Sequence, residues 1–485
     1  VSAIRWIKRK LGGWRRGRRN FDAASQGRLT ADWITAPLSA DAAVNGRLGF
    51  IRDRSRDLER NNEWTRGFLR ILDNNVLGER GITLQMRVRD QSGSLDEGAN
   101  GIIEAAWKRW GRVGNCSLNR RHSWRDIQRL VLRAMARDGE VLIRKIRTRN
   151  GLRLQVIEAD MLDLDYNVIL EGGNRIRFGV ETDPDTEEVV AYHILGSHPG
   201  DHMPDNNSNQ RQRVEAQDML HVFIEERPGQ TRGVPWLVSS MKGLRMLDGY
   251  SEAELVAART AASKMGFFTS KTGEEYSGPE NGDGDLRMDA APGTFEQLPT
   301  GVDFKSWDPS HPNSAFPDFV KARLRGVASS LGLSYNTLSS DLEGVNYSSI
   351  RAGLLEEREF WKVLQRFLIE HVCELVFSEW LSLELLRGSM PLPAAKLWKF
   401  DAPEFRGRRW PWVDPKKDIE ANILGVRAGF TSQQQVVAES GGDITDVMDA
   451  QEADEKLAGK KGLEFPALRE DLPAPPPPEP NADDD

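Results

Sequence analysis

Three short stretches place chemistry-bearing side chains close together. Asp160, Asp163 and Asp165 follow Glu158, hard oxygen ligands of the kind that hold magnesium or calcium. An acidic turn at a strand end has the same composition. His198 and His202 stand four apart, a spacing that puts two imidazoles on one helix face, but the intervening Pro199-Gly200 opposes a helix. In Arg227-Pro228-Gly229-Gln230-Thr231-Arg232-Gly233-Val234-Pro235-Trp236, two arginines flank a glycine-rich turn. That arrangement suits phosphate binding or a structural turn feeding a helix at Pro235. The patterns G-x-x-x-x-G-K-S/T, H-E-x-x-H and G-x-S-x-G do not occur, so the sequence offers no phosphate-cradling loop, zinc-protease helix or nucleophile elbow. No catalytic residue, cofactor or metal is expected.

The elements that position these residues are bounded by composition. A chain of 485 residues holds about three domains or one elaborate one. With 39% hydrophobic and 29% charged residues, it has material for a large core. A net charge of −7 excludes a generically basic, histone-like DNA wrapper. Cys116 and Cys373 are the only two cysteines, too few for a disulfide framework or a cysteine zinc site. The longest apolar pattern, near residues 360–386, is broken by Lys362, Arg366, Glu370, Glu374, Glu379 and Glu384, so no segment reads as membrane-spanning. The basic N-terminal residues are not followed by an apolar run, and no secretory signal is expected. Fourteen Trp against six Tyr point to extensive packing or interfaces.

Periodicity predicts helices over 50–77 (ended by Gly78), 97–110, and from Ser123 to Asp138-Gly139, with Ser123 and Asp126 forming a capping box. The character then changes to β. Asn150-Gly151 between two β-type runs signals a hairpin, and runs at 175–180, 189–195 and 219–224 extend an antiparallel region around an exposed loop at 196–213. A helix is expected from Pro235 to about Lys264, and another over 316–331. Between them, 270–315 is rich in Gly and Pro, with some packed β structure around Phe295, Leu298, Phe304 and Trp307. A polar loop over 332–348 leads into the strongest helix, about Tyr347 to Leu386. Unbroken, that helix would span roughly 55–60 Å, which implies a kink or a long assembly. Short acidic helices follow over 415–460, and Pro473–Asp485 reads as a disordered Pro-rich acidic tail.

The decapeptide ending in Trp236 resembles a signature of the lambda-type family of tailed-phage portal proteins. Other segments agree in order: Arg60-Asn61-Asn62 to Gly78; Asp138-Gly139-Glu140; Leu154-Gln155-Val156-Ile157-Glu158-Ala159-Asp160; Gly332-Leu333-Ser334-Tyr335 with Leu338-Ser339-Ser340-Asp341-Leu342; Asn346-Tyr347-Ser348-Ser349-Ile350-Arg351 with Leu355-Glu356-Glu357-Arg358; and Val413-Asp414-Pro415-Lys416-Lys417-Asp418. The resemblance covers about residues 50–440.

It implies a predominantly helical α+β portal fold of wing, stem, clip, tunnel loop and crown, assembled as a homo-oligomeric ring, usually of twelve subunits. The parts would fall in order: a basic arm over 1–19; wing, 20–233; first stem helix, 234–269; clip, 270–315; second stem helix, 316–332; tunnel loop, 333–348; long helix and return to the wing, 349–412; crown, 413–465; and the tail, 466–485. The ring would pass double-stranded DNA during packaging and ejection at one capsid vertex of the virion, after assembly in the host cytoplasm. Implied partners are the terminase, then head-tail adaptor proteins, with major capsid and scaffold proteins around them and no small-molecule substrate. The tunnel-loop residues expected near DNA are Ser334, Tyr335, Asn336, Thr337, Ser340, Asp341, Glu343, Asn346 and Arg351. Arg351 either touches phosphate or pairs with Glu356-Glu357. The clip residues expected to meet the terminase or adaptor are Glu280, Asp283, Arg287, Phe295, Phe304 and Trp307. Alternatives to a portal are a metal-dependent DNA-processing enzyme using Asp160, Asp163 and Asp165, or a minor capsid protein without a channel.

Overall fold

The structure is a computed structural model that describes Arg28, residues 36–201, 210–262, 266–270, 302–306, 315–410, 415–439, Gly442 and residues 444–462. It begins with α1 (Ala40–Val44), α2 (Leu48–Asn61) and α3 (Glu63–Leu72), the last continuing into a π-helical turn, Asp73–Leu77. The single helix expected over 50–77 is thus divided at Asn62. The reason is local. Asn62 has extended backbone, and its Oδ1 accepts from the Thr65 amide at 2.8 Å, so it starts a new helix. Gly78 ends the run in the left-handed region.

Next come β1 (Thr83–Met86), α4 (Glu97–Trp110) and α5 (Trp124–Asp138). The expected capping box is present: Ser123 accepts from the Asp126 amide, and the Asp126 carboxylate accepts from the Ser123 amide. The strands β2 (Glu140–Thr148) and β3 (Gly151–Ile157) form the expected hairpin, with Thr148 opposite Gly151, and β9 (Met219–Phe223) pairs with the other edge of β2. A second antiparallel sheet runs β4 (Val168–Ile169), β5 (Arg175–Arg177), β6 (Val180–Thr182), β7 (Val189–Leu195) and β8 (Arg211–Glu215). The loop expected over 196–213 therefore gives way to strand at Arg211.

The helix expected from Pro235 starts later, as α6 (Met241–Ala262); Pro235 instead sits in the preceding turn, where its carbonyl accepts from the Val238 amide. Two strands, β10 (Gly266–Ser270) and β11 (Val302–Ser306), pair antiparallel, with Phe268 opposite Phe304. The stretch 266–269, expected within the first stem helix, is therefore strand. α7 (Phe316–Ser330) follows. The loop expected over 332–348 contains a helical turn, α8 (Tyr335–Ser339). The long helix is α9 (Tyr347–Leu368), a π-helical turn (Ile369–Cys373) and α10 (Glu374–Leu386). The π turn is the interruption that its length implied, and it carries buried Ile369, Val372 and Cys373. α11 (Leu397–Phe400) leads to β12 (Pro403–Arg406), which pairs with β1. The last described elements are α12 (Pro415–Arg427), α13 (Gln433–Glu439) and α14 (Ile444–Lys461).

The main core packs α4, α5 and the 369–386 helix around an indole cluster. Trp107 lies 4.6 Å from Trp110, 5.6 Å from Trp124, 5.0 Å from Trp380 and 5.5 Å from Phe377 between ring centroids. Part of the tryptophan surplus is therefore core. A smaller core of Leu142, Leu162, Val180, Tyr192 and Val214 lies between the two sheets.

Candidate functional site

The signature segments converge on one buried ionic knot. Glu140 opens β2 and is fully buried. One carboxylate oxygen accepts from Arg232 Nε at 2.7 Å and from the Arg52 guanidinium. The other accepts from the Gly233 amide at 2.7 Å and contacts His221 Nε2 at 2.8 Å. The fully buried Arg232 also donates to the carbonyls of Ala159 (2.9 Å), Leu162 (3.2 Å) and Phe178 (2.8 Å). It thereby ties the turn before α6 to both sheets. Around this centre, Arg52 reaches Asp160 at 3.3 Å, Arg56 pairs with Asp160 and with Asp138 at 2.8 Å, and Arg137 joins Asp138 to Glu59.

The backbone is equally close. A Cβ on Gly139, where φ is +89°, would lie 2.6 Å from the Val234 nitrogen. A Cβ on Gly233 would lie 2.7 Å from the Gly139 carbonyl carbon. Asp138-Gly139-Glu140 and Arg232-Gly233 are thus two strands of chain that cross with no room for a side chain. Trp236 locks the crossing by donating its amide to the Ala136 carbonyl at 3.1 Å.

Burial opposes ionisation of Glu140, but Arg232, Arg52 and the His221 hydrogen bond outweigh it and hold the carboxyl well below the usual range. Asp160 is lowered for the same reason, burial being outweighed by Arg56 and Arg52. His221 moves down, because burial disfavours a charge already supplied by the two arginines. The signs combine. The carboxyls bind protons less readily folded than unfolded, so their stabilisation begins to fall near the unfolded value of about 4 and is lost as pH drops through their lower folded values. Neutral His221 takes a proton on unfolding, which adds a loss beginning below about pH 6.5. Thermal melts from about pH 8 to about pH 2 should therefore fall in two stages, and His221→Gln should flatten the upper one. An unchanged pH 5–6.5 limb in that variant would contradict the assignment.

This arrangement decides several sequence readings. Arg232 is inside the knot and not at a phosphate site. Asp160 serves Arg52 and Arg56, Asp163 accepts from Arg211 Nε at 2.6 Å, and the Asp165 amide donates to Asp163 at 2.9 Å. Asp160 and Asp163 are thus taken by separate arginines, Asp165 meets Asp163 through its backbone amide, and among the described residues no three His, Cys, Asp or Glu side chains are gathered as a metal cage. His198 faces Glu158 at 3.3 Å; His202 lies outside the described residues. Arg52, Arg56 and His221 were not singled out by sequence. The signal for the two arginines is their i and i+4 spacing on the same stripe as buried Leu48, Ser55 and Leu58, and His221 carries no such signal.

The expected tunnel-loop residues form a second, more exposed arrangement. Ser334 caps α8 by accepting from the Thr337 amide. Buried Glu357, in α9, accepts from the Ser334 amide at 2.8 Å and from the Thr337 hydroxyl at 2.9 Å. The Tyr335 hydroxyl donates to Asp341 at 2.8 Å, and Lys321 lies 3.6 Å from Asp341 and 3.8 Å from Glu343. Ser340 adopts the left-handed region at φ 55°, Asn336 is half-buried, and Asn346 caps α9 by accepting from the Ser349 amide at 2.8 Å. Arg351 pairs with Asp418 of α12 at 3.4 Å, rather than with Glu356-Glu357. Glu343 is exposed, its side chain at 86%. Phe304 lies in β11; Glu280, Asp283, Arg287, Phe295 and Trp307 lie outside the described residues. Glu357→Ala should strand the Ser334 and Thr337 donors, costing about 1–3 kcal/mol. Amide exchange should then accelerate over 334–341 with little change at β2.

The signature residues thus hold together the backbone of an α+β frame. Residues 26–365 match the family described as phage portal protein, lambda family, and the chain belongs to that family, the portal proteins of tailed phages. A probable portal protein of Halomonas phage phiHAP-1 is 34% identical over 459 residues, covering 92% of this chain and 88% of the relative. Portal protein B of Escherichia phage lambda is 22% identical over 482 residues, covering 90% and 89%. Among solved structures, a chain from the neck of an empty GTA particle gives a TM-score of 0.44 at 12% identity, covering 80% of this chain and 93% of that one.

Proposed function

We propose that this chain assembles into a closed ring, of twelve copies as the family resemblance implies, at one capsid vertex. In this reading the ring passes double-stranded DNA during packaging and ejection, and has no active site of its own. The terminase docks first and head-tail adaptor proteins later, within a shell of major capsid and scaffold proteins assembled in the host cytoplasm. The observation that carries this reading is the family match over residues 26–365, supported by a 34%-identical portal relative of nearly the same extent.

The helices α6 and α7 would be the stem, the insertion based on β10–β11 the clip, residues 333–348 the tunnel loop and α12–α14 the crown. Exposed apolar side chains favour neighbours at the stem: Met246 is 66% exposed, Leu255 63% and Phe319 49%. Side chains of this kind on adjoining helices are what a subunit contact covers. The tunnel-loop contacts favour a pinned loop offering neutral and acidic groups, which would touch DNA weakly and let it slide.

Electron microscopy of the purified full-length chain tests the reading. Closed rings with a channel wide enough for duplex DNA are expected, and class averages along the axis give the copy number. A compact channel-free particle would overturn it.

A further inference from the structure

One surface carries charge that neither the buried knot nor the tunnel loop uses. From Ala105 to Arg125 there are Lys108, Arg109, Arg112, Arg120, Arg121 and Arg125 and no acidic residue, in a chain whose net charge is −7. Arg125 is taken up by Asp73 and the Gly78 carbonyl. The other five are exposed, and among the described residues none forms an ion pair.

They stand on a braced loop. The Leu118 amide donates to the Leu154 carbonyl at 2.8 Å and the Leu154 amide to the Cys116 carbonyl at 2.7 Å, so the loop lies along the free edge of β3. Arg153 clamps it from below, donating to the carbonyls of Gly114 (3.2 Å) and Ser117 (3.1 Å). The Trp124 amide closes it on the Gly111 carbonyl at 2.9 Å, and a Cβ on Gly114 would lie 4.0 Å from the Arg120 carbonyl oxygen, so the arms carrying Arg112 and Arg120 run side by side. Arg120 is held at φ 59°, a left-handed conformation that a long side chain seldom adopts. Helix polarity accounts for Lys108 and Arg109 in the last turn of α4. It does not account for Arg112, Arg120 and Arg121.

We infer that this loop is an outer binding site for the phosphate backbone of duplex DNA, separate from any channel. Arginines predominate, and their planar forks suit phosphate oxygens. The loop is preorganised, so little ordering is lost on binding. A similarly arginine-rich surface on α2 and α3 (Arg54, Arg60, Arg66, Arg70) is interspersed with Asp53, Asp57 and Glu63, and offers no such field.

The test uses the full chain and a small covalently closed duplex circle, which cannot be threaded through a ring. The triple variant Arg112→Gln, Arg120→Asn, Arg121→Gln should bind the circle at least about tenfold more weakly at moderate salt. The slope of log affinity against log salt should fall by about 2–3, at ~0.9 per phosphate contact. The control Arg54→Gln, Arg66→Gln, Arg70→Gln removes the same charge and should leave the slope nearly unchanged. Equal losses in both variants, or none in the first, would overturn the proposal. So would a triple variant that keeps its affinity for the circle but loses binding to poly-glutamate, which would identify an acidic protein as the occupant. Ring formation is read separately by microscopy, so failure of this site and failure of the ring reading are distinguishable.

Discussion

Glu140→Ala is expected to destabilise the protein by about 3–5 kcal/mol, because it removes the carboxylate shared by two buried guanidinium groups, leaving Arg52 with Asp160 as its one carboxylate and Arg232 with carbonyl partners only. Arg52 and Arg232 are both fully buried, and nothing else within the knot replaces the two-oxygen contact with Arg232, Arg52, His221 and the Gly233 amide. The loss should appear as a lowered denaturation midpoint or as insoluble protein. Glu140→Gln keeps the shape and some hydrogen bonds but not the charge, so it should also be strongly destabilised. A hydrophobic repair that replaces Glu140, Arg52 and Arg232 together should recover more stability than any single change, since the penalty lies in the unpaired charges. The control is Glu343→Ala, exposed and expected to change stability by less than about 0.5 kcal/mol. Should Glu140→Ala melt like that control, the knot is not what holds these segments together.

Gly139→Ala is the second large expectation. The residue lies at φ +89°, a backbone conformation costing roughly 1–2 kcal/mol with a side chain. The added Cβ would also meet the Val234 nitrogen at 2.6 Å and the Gly233 carbonyl carbon at 2.7 Å, backbone atoms that cannot swing away. Overpacking of this kind adds about 1–3 kcal/mol. Gly233→Ala meets the same crossing from the other side, 2.8 Å from the Glu140 Cβ. Because both substitutions break one crossing, the double variant should be less destabilised than the sum of the two. Gly101→Ala, in α4 with nothing within 4 Å of its Cβ, should be neutral or slightly stabilising. Denaturant titration of the four variants separates these outcomes, and additive losses at 139 and 233 would contradict a shared crossing.

The α5 helix and the β2–β3 hairpin were legible because each rests on neighbouring residues. Ser123 and Asp126 cap each other three apart, and Asn150-Gly151 turns the chain within itself. Asn62 and Ser334 carried cap chemistry too, yet the helices they start were read as one continuous helix and as loop. At Asn62 the apolar period on either side masks the restart, whereas after Ser334 the polar composition reads as loop and the helix is only five residues long. Pro235 looked like a first helical residue, but the turn it occupies is held by Trp236 on the Ala136 carbonyl, a contact a hundred residues away in sequence.

Membership of the portal family was readable from ordered motifs, since motifs are local strings and survive without coordinates. Why those strings recur was not. In sequence Asp160 looks like a metal ligand or part of an acidic turn, and Arg232-Gly233 like part of a phosphate-binding or structural turn, because the same carboxylates and guanidiniums serve either chemistry. Only folding brings Arg52 and His221 to Glu140 and closes the charges on one another. Likewise Arg351 found Asp418 rather than its sequence neighbours Glu356 and Glu357. Motif order, the Ser123 capping box and the Asn150-Gly151 turn depend on residues near in the chain, and the amino-acid sequence alone settles them. The partner of a charge depends on which distant segments share a low-dielectric interior, and that is settled only by tertiary packing.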